Sequence, residues 1–308
     1  MTDDANWERS TIEKLALSAL NEQKRARNWG ILFKTLTFIY LFALLFMAVD
    51  WFPHNGSSGP HTAVIDIRGE IGEGDAVNAD DAISSLQSAF EDKNTKGIIL
   101  RINSPGGSPV QAGIINDEIG RLRKLHPKIP LYAVVEDICA SGGYYIAVAA
   151  DKIYVDKASI VGSIGVLMDG FGFTGTMEKL GVERRVMTAG KNKAFMDPFS
   201  PVNPVHKVHA QAMLDEIHQQ FINVVRKGRG DRLKETPDMF SGLFWSGDKS
   251  VELGLADAIG STNSVARDVI KEENIVDFTS REGLADRFAK QLGASATKAL
   301  AGASFKLH

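Results

Sequence analysis

The chain is predicted to be an α/β protein built on a mainly parallel sheet, preceded by one membrane-spanning helix. Three observations lead there. From residue 61 onward, short β-branched runs alternate with amphipathic helical segments, the pattern of strand–helix–strand crossovers. Residues 29–52 form an apolar run with a tryptophan near each end. Small-residue turns follow two of the predicted strands, Asn103-Ser-Pro-Gly-Gly107 and Ala140-Ser-Gly-Gly143, where open α/β sheets hold their ligands.

The bulk properties set bounds on function. A length of 308 residues gives one or two domains and room for a core. With 35 basic and 38 acidic residues, a net charge of -3 carries no global signature of nucleic-acid binding. Cys139 is the single cysteine, so no intrachain disulfide forms. Two residues before Ser141, it is expected to be a packed thiol rather than a second nucleophile.

Residues 1–28 are polar, with an amphipathic patch at Ile12, Leu15, Leu17 and Leu20 and a basic cluster at Lys24, Arg25 and Arg27. As a helix, Trp29 to Trp51 would be about 33 Å long, enough for a hydrocarbon layer of about 30 Å. Lys34 lies near the basic end and can snorkel, and Asp50 lies at the far edge. No small-x-small cleavage site follows, so residues 29–52 are expected to be an uncleaved anchor; the alternative is a buried core helix. Basic residues crowd the N-terminal side, and the first one beyond the run is Arg68. That asymmetry places residues 1–28 in the cytoplasm and everything after residue 52 outside.

Residues 53–60 have the composition of a linker. Strands are then expected at 63–67, 97–103, 131–135, 152–155 and 182–186. Helices are expected at 80–91, 110–125, 144–150 and 206–227, with a short strand, turn and helix over 244–257. These elements delimit a domain over 61–274. The tail, 275–308, is amphipathic at Leu284, Phe288 and Leu292, then rich in alanine and glycine.

The chemistry centres on Ser141. A serine between a buried strand and a helix start lies where free N–H groups favour negative charge, and an acyl-transfer nucleophile needs this because an oxyanion develops beside it. The plain alternative is a helix cap. A hydroxyl also needs a base. None of the seven histidines lies in a recognisable pattern with an acid; His206 and His209 resemble a metal pair but lack an acidic cluster, and no metal is expected. A desolvated lysine can serve instead. Lys191 and Lys193 are both candidates, beside the apolar wall of Ala194, Phe195 and Met196; solvated lysines are the alternative.

The order Ser-Pro-Gly-Gly, Ala-Ser-Gly-Gly-Tyr-Tyr-Ile-Ala, Val-Gly-Ser-Ile-Gly-Val and Gly-Lys-Asn-Lys resembles the signal peptide peptidase family (SppA type, including SohB) in its short, single-copy form. The resemblance covers about residues 61–265. It implies a ClpP/crotonase-like fold of repeated ββα units and a membrane-anchored serine peptidase with a Ser–Lys dyad. By position, Ser141 is similar to the family's nucleophile, Lys193 to its general base, and Ser163 to the serine that orients that lysine. Gly107 matches an oxyanion donor, with the Gly142 N–H as the second. Asp197-Pro198 departs from the Ser-Pro frequent in relatives.

The resemblance further implies a homo-oligomeric ring in which the lysine reaches a serine on a neighbouring protomer. Its expected setting is the outer face of a bacterial inner membrane, against the lipid bilayer. The implied substrates are signal peptide remnants and other unfolded apolar peptides, with no cofactor and no nucleic acid. Two alternatives stay open: a crotonase-like acyl-CoA enzyme, and a non-catalytic oligomeric membrane scaffold.

Overall fold

The structure, a computed structural model, describes residues 3–48 and 59–280. The chain divides into two compact units, 1–55 with 281–308 and 56–280. The tail expected to be amphipathic lies outside the described residues, as does most of the expected linker.

In the first unit, α1 (Asp3–Ala48) is one continuous helix, longer than the separate patch and span expected from the sequence. From Trp29 to Leu44 its large apolar side chains are exposed on every side, Phe38 at 78% and Phe42 at 63%. The hydroxyls of Thr35 and Thr37 donate to the carbonyls of Ile31 and Phe33, both at 2.9 Å, which satisfies these two hydroxyls within the helix. Among the described residues no helix is long and apolar enough to cross a membrane. The expected anchor runs past them, since the side chains from residue 45 and the whole of 49–52 lie outside.

The second unit holds β1 (His61–Arg68), α2 (Ala79–Glu91), β2 (Thr95–Ser104), α3 (Pro109–Leu125), β3 (Leu131–Ala140) and α4 (Gly142–Ala147). There follow β4 (Lys152–Val155), β5 (Ile160–Gly162), α5 (Thr174–Lys179), α6 (Pro204–Arg229), β6 (Phe244–Ser246), α7 (Gly247–Glu252), β7 (Ala258–Ile259) and β8 (Ile275–Asp277). Among the described residues these strands form one sheet in the order β6-β5-β3-β2-β1-β8, with β4 and β7 branching from β3. Every pairing is parallel except β5 with β6. The expected α/β class with a mainly parallel sheet is therefore what the chain forms.

Strand alternation divides the core. Ile65, Leu100, Ala133 and Ile153 face α2, α3 and α4 and join Leu86, Ile115, Ile119 and Tyr144 in the main cluster. Val64, Ile99, Val134 and Tyr154 face the other way and meet Val265 and Ala266. Helix starts follow their caps: Asn78 Oδ1 accepts from Asp81 N–H at 2.9 Å, and Ser108 precedes Pro109 at the head of α3.

Three elements differ from expectation. β3 continues past Val135 to Ala140, because the polar Glu136 faces the open side of the sheet, where its carboxylate pairs with Arg68 at 2.8 Å. Residues 182–186 are not a strand; Val182 and Val186 are exposed and no neighbouring strand pairs with them. Residues 275–277 pair with β1 as β8, so the compact unit runs to Ser280 rather than ending at 274.

Candidate active site

β3 delivers its last residue, Ala140, directly to Ser141. The Ser141 backbone has φ 50° and ψ -120°, a left-handed conformation that a serine keeps only where its surroundings hold it, at about 1–3 kcal/mol. They hold it from both sides. Ser141 N–H donates to the Gly162 carbonyl at 2.9 Å, and Tyr145 N–H donates to the Ser141 carbonyl at 2.9 Å. The side chain is half-buried and makes no capping hydrogen bond. A serine acting as a cap would bond the free N–H groups of α4; this hydroxyl is left free.

A second turn closes against the first. Gly106 and Gly107, after β2, have φ 105° and 144°, values suited to glycine. Ile71 pins them: its N–H donates to the Gly106 carbonyl at 2.9 Å, and its carbonyl accepts from Ser108 N–H at 2.7 Å. This bridge does not use the Gly107 N–H. A Cβ on Gly106 would lie 2.7 Å from Ser141 Cβ and 2.8 Å from the Gly142 nitrogen, and one on Gly142 would lie 3.3 Å from the Gly107 nitrogen. The nitrogens of Gly107 and Gly142 therefore sit together beside Ser141. Two backbone donors next to a free hydroxyl are what an acyl-transfer site requires.

Ser163 follows β5, which pairs with the end of β3 so that Ala140 lies opposite Gly162. The next residues along, Ser141 and Ser163, are neighbours across the sheet. Ser163 is half-buried with φ 52°, and its N–H donates to the Leu243 carbonyl at 2.7 Å. Gly162 is needed because a Cβ there would lie 2.9 Å from the Trp245 ring. The sequence alone did not single out Ile71, Gly106, Gly162 or Leu243; the paired glycines in each turn were the available signal, and the long-range partners left none.

Lys193 is placed apart. Residues 166–203 run mostly exposed, and Lys193 is exposed at a turn where its N–H donates to the Gly190 carbonyl at 3.1 Å. The single chain forms no hydrogen bond or ion pair between Lys193 and Ser141, and Lys191 is likewise exposed. Phe195 packs its ring on His206 at 5.0 Å and His209 at 5.8 Å. Those two histidines thus face an aromatic ring, and no cluster among the described residues could hold a metal ion.

Behind the serine, α4 is anchored by a buried polar network. The buried Tyr144 hydroxyl donates to the Leu255 carbonyl at 2.8 Å. Two residues on, Asp257 accepts from Arg229 Nη1 at 2.7 Å, Arg232 Nη1 at 3.1 Å and Ile153 N–H at 2.7 Å. Burial pushes the Asp257 carboxyl up, but the Arg229 hydrogen bond and the further donors outweigh it and hold the group below the usual carboxylate range. Cys139 is fully buried and burial pushes its thiol up, as expected of a packed thiol.

Residues 123–276 match the family model described as Peptidase family S49. The matched stretch includes Ser141, Ser163 and Lys193. A Na(+)/H(+) antiporter NhaA of Brucella abortus is 47% identical over 182 residues, 59% of this chain and 25% of that protein. A putative signal peptide peptidase SppA of Enterococcus faecium is 34% identical over 203 residues, 66% of this chain and 58% of that one. A putative protease of Synechocystis is 30% identical over 209 residues, covering 68% of this chain and 73% of the relative. The chain thus spans a quarter to under two thirds of the length of the first two.

Proposed function

The chain belongs to peptidase family S49, and from that premise we propose that it is a serine peptidase with a Ser141–Lys193 dyad. The observation that carries the reading is the free Ser141 hydroxyl, held on a left-handed backbone beside the Gly107 and Gly142 nitrogens. The Ser141 oxygen attacks the scissile carbonyl while the Lys193 amine takes its proton. The oxyanion forms against the Gly107 and Gly142 N–H groups. Collapse expels the amine half of the substrate, which leaves with the proton returned by Lys193. Water, activated by the same amine, then attacks the acyl-serine and releases the second product. Ser163, one strand over from Ser141, orients the lysine.

This role needs Lys193 uncharged, and an amine loses its charge readily only when desolvated. In the single chain it is exposed, so a second copy has to cover it. The arm that carries it supports this assembly: Leu167 is 80%, Phe171 79% and Met187 98% exposed, more apolar surface than a solvated loop sustains. We assign the arm to a homo-oligomeric interface that completes each site with a neighbour's lysine. The sheet, forking where β3 passes from β4 to β5, fits a ClpP/crotonase-like fold.

The anchor belongs to the same proposal. The stretch of α1 from Trp29 to Leu44, with large apolar side chains on every side and its threonine hydroxyls bonded internally, suits lipid better than water. It would hold the peptidase at the outer face of a bacterial inner membrane, where signal peptide remnants and other unfolded apolar peptides are the substrates. The relative named as an antiporter shares only 25% of its length with this chain.

Digestion of an unfolded apolar peptide by the detergent-solubilised full chain tests the activity. Ser141→Ala and Lys193→Ala are expected to abolish it, and Lys191→Ala to retain most of it. Full activity in Lys193→Ala would reassign the base. A reporter fused after residue 60 tests the topology; activity only in the cytoplasm would overturn it.

A further inference from the structure

The lysine-bearing segment is closed at its base. Arg184 and Asp197 flank residues 185–196, and Arg184 Nε lies 3.0 Å from Asp197 Oδ2. The Asp197 side chain is only 9% exposed, although it sits on a surface arm. It also accepts from the Ser200 hydroxyl at 2.7 Å, and that bond, followed by the Phe199 N–H and then Arg184, holds its carboxyl below the usual range. The Arg184 guanidinium lies 5.2 Å over the Phe199 ring. Phe199 stacks on Phe173 at 5.4 Å, and Phe173 N–H donates to the Pro198 carbonyl at 2.7 Å. The base of the loop is thus fastened to the residues that lead into α5. Two residues before Asp197, Phe195 is fastened to α6 through His206 and His209.

We propose that the Arg184–Asp197 ion pair is a positioning device for the general base, closing the 185–196 loop so that Lys193 is presented in one place. The proposal rests on the reading of Lys193 as the base. Bringing the ends of a free loop together costs chain entropy, and an unclosed loop would scatter its lysine over many positions. Asp197 touches no reacting atom in this scheme; it acts through the loop. The effect should therefore fall on kcat, which depends on lysine placement, more than on KM. Misplacement of a catalytic group by about 1 Å can lower a rate about 100-fold.

The test uses the full chain in detergent. Asp197→Asn keeps the hydrogen-bonding shape but removes the charge. The reversal Arg184→Asp with Asp197→Arg restores an ion pair of opposite sense. Peptide hydrolysis is followed against pH for these variants and for Lys193→Ala. Tryptic nicking after Arg185, Lys191 and Lys193 is followed in a Ser141→Ala background, which prevents self-cleavage. The expected result is a kcat in Asp197→Asn lower by about 10-fold or more, with KM near wild type, a displaced ascending, acid-side limb in the pH profile and faster nicking. The reversal should recover most of each.

Wild-type kcat and pH profile in Asp197→Asn, with Lys193→Ala inactive, would overturn the proposal and leave the dyad standing. An active Lys193→Ala would overturn the dyad and the base-positioning claim together. Faster nicking would then show only that the pair closes the loop.

Discussion

Ser141 and Ser163 leave neighbouring parallel strands at the same step, one residue past the paired Ala140 and Gly162, and both carry left-handed backbones, φ 50° and 52°. Adjacent strands lie about 4.8 Å apart, so the two serines leave the sheet as near neighbours in backbone position. Among the described residues only four that are not glycine have positive φ: these two, Met196 and Lys271. Three of the four thus lie at the serine pair or on the arm that carries Lys193. Backbone strain of this kind persists where the surroundings enforce it, commonly at functional sites.

If Ser163 orients the base, Ser163→Ala should lower kcat by about 10- to 100-fold while leaving KM and thermal stability near wild type. Steady-state kinetics beside a melting curve checks this. A wild-type kcat would remove Ser163 from the mechanism.

The two glycine turns differ in tolerance. A Cβ on Gly107 would lie 2.1 Å from the Ile71 oxygen, which is backbone and cannot swing away; one on Gly142 meets its nearest atom at 3.3 Å. Gly107→Ala is therefore expected to lower both the melting temperature and kcat, the latter by about 100- to 1000-fold as the donor is displaced. Gly142→Ala should fold close to wild type. The reverse order of melting temperatures would contradict the geometry.

Asp257 sets an acid limit on stability. Its folded carboxyl titrates below its unfolded value, so its contribution is complete above about pH 4 and is lost as pH falls through the folded value. Asp257→Ala leaves the buried Arg229 without its carboxylate and should cost about 3–5 kcal/mol at neutral pH. Asp257→Asn should flatten the fall in stability below about pH 4. Chemical denaturation at several pH values measures both, and an unchanged slope in Asp257→Asn would place the acid sensitivity elsewhere.

Much of this architecture was legible in the sequence because it is local. The apolar runs at 63–67, 97–103 and 131–135 became strands, and Ser141 lies at the strand-to-helix turn that its neighbours implied. The extension of β3 through Glu136 and Asp137 was hidden, since these polar residues have partners on other strands, Arg68 for Glu136 and Asn103 for Asp137, rather than lying in a loop. The strand expected at 182–186 has suitable residues but no partner, and without a ladder β propensity gives no strand. The three-residue β5, which aligns Ser163 with Ser141, is too short for any period to mark. Lys193 could be singled out only by resemblance: in the single chain it is exposed and forms no hydrogen bond with Ser141.

Shared sites would make activity a property of the assembly. Mixing inactive Ser141→Ala with inactive Lys193→Ala protein should restore partial peptide hydrolysis, because some interfaces then join an intact serine to an intact lysine. Mixed assemblies without any recovery would mean that each chain supplies its own base.

The central claim is an activated Ser141 hydroxyl, and labelling of the full assembled protein by a serine-directed covalent probe, located by peptide mapping, tests it most directly. The account predicts modification at Ser141, absent in Ser141→Ala and strongly slowed in Lys193→Ala. Modification at another residue, or none at all while peptide is cleaved at the wild-type rate, would contradict it.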